Sequence, residues 1–104
     1  MSHVELRISG GSSSLENICS RLNGSIKTRE HVVFPSALPI STSLSDHLVW
    51  IWGVLKHQRR LLKRFQSEGA KLEFVCLGAG KKIQLRANAA EMLHLIEADL
   101  TIEK

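Results

Sequence analysis

The chain has 104 residues, of which 43% are hydrophobic and 23% charged, and its 14 Lys and Arg outnumber its 10 Asp and Glu for a formal charge of +4. That length suits one hydrophobic core, and the composition excludes disordered, collagen-like and disulfide-scaffold classes. The longest apolar stretch, residues 48–55, is far short of the ~20 residues that span a bilayer, and the amino terminus enters an alternating pattern rather than a leader, so a cytoplasmic protein with no membrane contact is expected.

Val4, Leu6 and Ile8 alternate with His3, Glu5 and Arg7, which predicts a strand with one buried face. Gly10-Gly11 ends it. Ser13 with Glu16 reads as a capping box for a helix whose inner face is Leu15, Ile18, Cys19 and Leu22, with Gly24 as its stop. Residues 26–34 read as extended, and Pro35, Pro39 and the Ser/Thr cluster at 41–45 read as a loop.

Ser43 and Asp46 open the longest predicted element, a helix carried to Gly69. Placement at 100° per residue puts Leu48, Ile51, Leu55, Leu62 and Phe65 on one face and Lys56, Arg60, Lys63 and Arg64 on the other. A straight helix of about 24 residues would be roughly 36 Å long, so a kink near Gly53 or an overhanging end is expected. A buried strand over 47–54 is the competing reading of that apolar run.

Residues 71–77 and 81–87 then alternate as two strands joined by a Gly78-Ala79-Gly80 hairpin. Asn88 and Glu91 are expected to cap a short helix with Ala89, Met92, Leu93 and Ile96 inward and His94 partly buried, and Leu100 with Ile102 predicts a closing strand. The order β-α-β-α-β-β-α-β implies one α+β domain over residues 1–104. Its architecture would be a two-layer sandwich, a ferredoxin-like variant with a mostly antiparallel sheet and helices on one face.

Several of these runs carry a resemblance. Val4-Glu5-Leu6-Arg7-Ile8-Ser9-Gly10, the helix end Leu22-Asn23-Gly24, the segment from His47-Leu48 through Leu55 to Leu62, and the spacing of Leu93, Ile96, Leu100 and Ile102 are similar to the bacterial domain-of-unknown-function family 4279. The chain departs from that pattern where Lys27-Thr28 replaces a Pro-Thr step and where both tryptophans fall in the later segment. The resemblance implies a compact fold with a strand-helix beginning and a helix-strand ending, and no catalytic residues, since the family has no established reaction. By analogy it also suggests a toxin-immunity type of binding protein.

Motifs for chemistry are sparse. Gly78-Ala79-Gly80-Lys81 lacks both the earlier glycine and the following Ser or Thr of a phosphate loop, with Val75 and Lys82 in those places. The glycine-serine stretch at 10–14 stands before a helix, where an anion could bind, but also reads as an ordinary capped turn. His3, His31, His47, His57 and His94 form no i, i+4 pair, and Cys19 and Cys76 continue apolar faces, so neither a metal, a cofactor nor a catalytic residue is assigned.

The strongest polar signal is the cluster Lys56, Arg59, Arg60, Lys63 and Arg64, whose like charges repel at i, i+4 unless solvated or met by an anion. The second is Val49, Trp50 and Trp52, in a stretch with almost no polar face, which suggests an interface with another copy. The expected function is therefore a non-enzymatic interaction domain. It would self-associate through Val49, Trp50 and Trp52 and present the basic cluster to an acidic protein. A nucleic-acid-binding protein using helix 56–64 is the alternative, weakened because no aromatic residues interleave with the basic ones. An enzyme with a site assembled from scattered residues is a third.

Overall fold

The structure is a computed structural model that describes residues 3–11, 14–77 and 85–103. Its strands and helices follow in the order β1 (His3–Gly10), α1 (Leu15–Arg21), β2 (Ile26–Lys27), β3 (Val32–Pro35), α2 (Leu44–Leu55), a single 3-10 turn (Lys56–Gln58), α3 (Arg59–Ser67), β4 (Ala70–Leu77), α4 (Ala87–Leu95) and β5 (Asp99–Glu103). The alternation in β1 places Val4, Leu6 and Ile8 on the face that meets the helices, and Leu72, Phe74 and Cys76 do the same in β4. Buried residues from all four helices join them in one core, so the helices cover one face of the sheet in two α+β layers.

The sheet order is β2-β3-β1-β4-β5. β1 lies antiparallel between β3 and β4, with Leu6 opposite both Phe34 and Phe74. β5 runs parallel to β4, pairing Phe74 with Leu100. A parallel neighbour needs a crossover rather than a tight turn, and α4 lies in that connection.

Several expectations are corrected in detail. The helix α1 is capped by Ser14, whose side chain accepts from the Asn17 N–H at 3.1 Å, rather than by Ser13, which lies outside the described residues. Residues 26–34 form a hairpin, not one extended run. Thr28 and His31 close its turn through the Thr28 N–H to the His31 carbonyl (2.8 Å) and the His31 N–H to Thr28 Oγ1 (3.1 Å). The expected hairpin glycines and residues 81–84 of the following strand lie outside the described residues. Leu85 and Arg86 are not in a strand, and α4 starts at Ala87 with Arg86 at its cap. His94 is exposed because it falls on the outer side of α4, opposite the core-facing Ala89, Met92 and Leu93.

The segment 47–54 is helical, which sets aside the strand reading. Ser43 caps α2 by accepting from the Asp46 N–H at 3.2 Å. The long helix does break, but at the 3-10 turn after Leu55 and not at Gly53, which stays within α2. The tighter turn lets Leu48, Ile51 and Leu55 of α2 and Leu62 and Phe65 of α3 all reach the core.

Glycine is required where β1 leaves the sheet. Gly11 has a φ of +86°, and a Cβ there would sit 2.8 Å from the Ala70 nitrogen, so the chain passes the start of β4 too closely for any side chain. Cys19 is half-buried and Cys76 buried, and neither is in a disulfide with a described residue.

Candidate functional site

Helix α3 begins with Arg59 and Arg60, in a sequence rich in good helix formers, and buries only Leu62 and Phe65. Its cations all point outward, and Lys56, in the 3-10 turn before it, is exposed as well. The ion pairs formed among the described residues join Glu5 to His3 and Arg7, Arg7 to Glu103, Lys27 to Glu16, and Arg86 to Asp46. None of them involves Lys56, Arg59, Arg60, Lys63 or Arg64. Local physics opposes this arrangement: the first turn of α3 has no acidic residue, Gln58 supplies no side-chain cap, and cations stand at the positive end of the helix dipole.

Beside this charge lies a cleft of about 360 Å³ between α3 and the carboxy-terminal end of α4. Its base is apolar, formed by the buried side chains of Leu62, Leu72 and Ile96. Trp52 of α2 lines it too, half-buried, and Leu95 stands at its lip with 65% exposure. Arg59, Arg60 and Lys63 complete the lining. Gln66 ties the two sides together by donating from Nε2 to the carbonyl of Ile96 at 2.8 Å and that of Glu97 at 3.5 Å. It satisfies carbonyls at the end of α4, where Glu97 adopts a positive φ of 52° without being glycine.

Of the five expected partner-binding residues, the structure thus gathers Arg59, Arg60 and Lys63 around one concavity, while Lys56 and Arg64 are exposed away from it. The three expected interface residues separate. Trp50 stacks on Phe34 with ring centroids 6.4 Å apart, whereas Trp52 turns to the cleft, because positions two apart on a helix point to nearly opposite flanks. Val49 of α2 remains 40% exposed and Val54 43%, and a Cβ at Gly53 would meet no described residue within 4 Å. Leu62, Gln66, Leu72, Leu95 and Ile96 escaped the sequence reading of the site. Leu95 carried a signal, an apolar side chain off the inner face of α4, but its meaning depends on α3 lying beside it.

A second polar feature is buried. His47 Nδ1 lies 2.6 Å from Ser36 Oγ, which also accepts from the Leu38 N–H at 3.2 Å. Among the described residues His47 Nε2 has no hydrogen-bond partner. Burial lowers the His47 pKa below its ordinary value and the nearby His3 adds to this, opposed by Asp46 and the Thr42 backbone. The contact ties the end of β3 to α2. It does not resemble a nucleophile and its base, since both residues are buried and no carboxylate among the described residues orients the second ring nitrogen.

Among the described residues no three His, Cys, Asp or Glu converge on a point where a metal could sit, and no helix is long and apolar enough to cross a membrane. No protein-family model, curated protein or solved structure matches the chain.

Proposed function

We propose that the protein is a non-enzymatic interaction module that binds an acidic surface of a partner protein through Arg59, Arg60 and Lys63 and pairs with a second copy through the outer side of α2. One observation carries the first part. Five exposed cations stand together on and before α3 without an ion pair to a described residue, and three of them flank the cleft. An anionic partner would relieve both the repulsion at i, i+4 and the unfavourable helix-end charge. The reading as a binding module rather than an enzyme is supported by the Ser36–His47 pair, which is sealed in the core and used to hold two elements together.

The test is calorimetric titration with an acidic peptide, comparing wild type with the triple variant Arg59→Gln, Arg60→Gln, Lys63→Gln. Wild type should bind, more weakly as salt rises, and the variant should lose at least tenfold in affinity with an unchanged melting temperature. A single-stranded oligonucleotide that binds more tightly than the peptide at physiological salt would replace this reading with nucleic-acid binding.

Self-association rests on Val49 and Val54 of α2, 40% and 43% exposed, with Gly53 between them adding no side chain. Wild type should sediment as a dimer at micromolar concentration and Val54→Glu as a monomer. A wild type that is monomeric throughout removes that part of the proposal.

A further inference from the structure

Resting on that reading, we propose that the cleft beside α3 is the recognition pocket for one apolar side chain, carried between acidic residues in an extended segment of the partner protein. Charge alone would be served by an exposed helix face. Here three cations of α3 line one side of a concavity whose base is Leu62, Leu72 and Ile96, contributed by α3, β4 and the end of α4. At about 360 Å³ it falls at the small end of the range for ligand sites, roughly 300–1,000 Å³. That size suits a single aromatic or branched side chain better than a large cofactor.

The chemistry of the lining narrows the class further. Among the described residues no acidic side chain lines the cleft, whose polar side chains there are three cations and Gln66, and the amide nitrogen of Gln66 is already donated to the carbonyls of Ile96 and Glu97. Apart from the Gln66 oxygen, the described lining offers no side-chain acceptor for the amino groups of a nucleobase. Leu95 at the lip and the half-buried Trp52 are apolar surface that the chain itself leaves partly open. Tryptophan and arginine around a desolvated pocket are the residue types that dominate binding energy at protein interfaces, with solvent-facing charges acting mainly on encounter. The acidic flanks would then steer and orient the segment, and the buried side chain would supply specificity.

Two peptides of equal charge separate the anchor from the charge: Glu-Asp-Glu-Phe-Glu-Asp-Glu and the same sequence with Ser at the centre. The Phe peptide should bind at least about tenfold more tightly, the ratio expected for burying one such side chain. The ratio should persist at high salt, which weakens both peptides together. Leu95→Ala, at an exposed position, should shrink the ratio severalfold with an unchanged melting temperature, and Arg60→Gln should weaken both peptides alike. Equal affinities for the two peptides would overturn the anchor while leaving acid binding in place. Failure of both to bind at low salt would overturn the underlying reading as well. Oligothymidylate binding more tightly than the Phe peptide would overturn both in favour of base stacking on Trp52.

Discussion

The two charged surfaces of this protein, the helix-free face of the sheet and the outer face of α3, handle charge in opposite ways. On the sheet, β1 presents His3, Glu5 and Arg7 at alternate positions, and Glu5 is only 8% exposed. Its carboxylate lies 3.1 Å from Arg7 Nε and 3.4 Å from His3 Nε2, and Arg7 also reaches Glu103 at 4.0 Å. Thr101 donates to Glu73 at 2.7 Å on the neighbouring strands. Val75, between Glu5 and Thr101 in the register, is fully buried on this face, apart from the main core. Among the described residues the charges of α3 have no such network. Charges already paired within the fold contribute to stability and offer little to a partner, whereas charges left over are the ones available for binding.

The sheet side should yield the larger effect. Glu5→Ala leaves the half-buried Arg7 without its closest partner, and we expect a loss of roughly 2 kcal/mol, or about 10 °C in melting temperature. Glu5→Gln retains an acceptor for Arg7 and should lose less than half as much. A thermal melt of both variants checks this, and an unchanged melt for Glu5→Ala would place the sheet charges in the same class as those of α3.

His47 offers a pH-dependent contrast to both surfaces. Its folded pKa is lowered, mainly by burial, so the folded state resists the proton that the unfolded chain accepts near 6.5. The associated stability is fully present above that value and is lost as pH falls through 6.5 toward the folded pKa. Melting temperature followed from pH 8 to pH 5 should drop over this window in wild type. His47→Asn can still bond Ser36 but does not titrate, and it should flatten the slope. Equal slopes would show that the Ser36–His47 contact is indifferent to protonation.

The smallest expected change is on α3. Replacing Arg60, Lys63 and Arg64 together by Gln removes like charges from exposed positions, and stability should hold or rise by no more than about 0.5 kcal/mol. Chemical denaturation at low and high salt measures it. A large, salt-insensitive loss would mean that these side chains serve the fold after all, and the contrast between the two surfaces would disappear.

Periodicity made much of the layered architecture legible. The alternation in β1 and β4 and the 100° placement of Leu48, Ile51, Leu55, Leu62 and Phe65 told which side of each element faces the core, because those patterns are local consequences of strand and helix geometry. The Ser43 cap was readable for the same reason, its bond spanning three residues. The outward set of cations on α3 followed directly from the inward set of apolar residues.

Relations between distant segments were not contained in those patterns. That residues 26–35 double back into a hairpin depends on the Thr28–His31 turn, and that Ser36 meets His47 depends on where α2 lands beneath β3. Nothing in the spacing told whether Glu5 and Arg7 would be paired while Arg60 and Lys63 stayed open, since both sets alternate with buried neighbours. The cleft is the clearest case. Trp52, Leu62, Leu72 and Leu95 come from three helices and a strand, and they enclose a shared space only because α3 and the end of α4 lie side by side over β4, held by the Gln66 bond. Periodicity assigns a face to each residue, but a pocket is a property of several faces at once, and their mutual placement follows from packing.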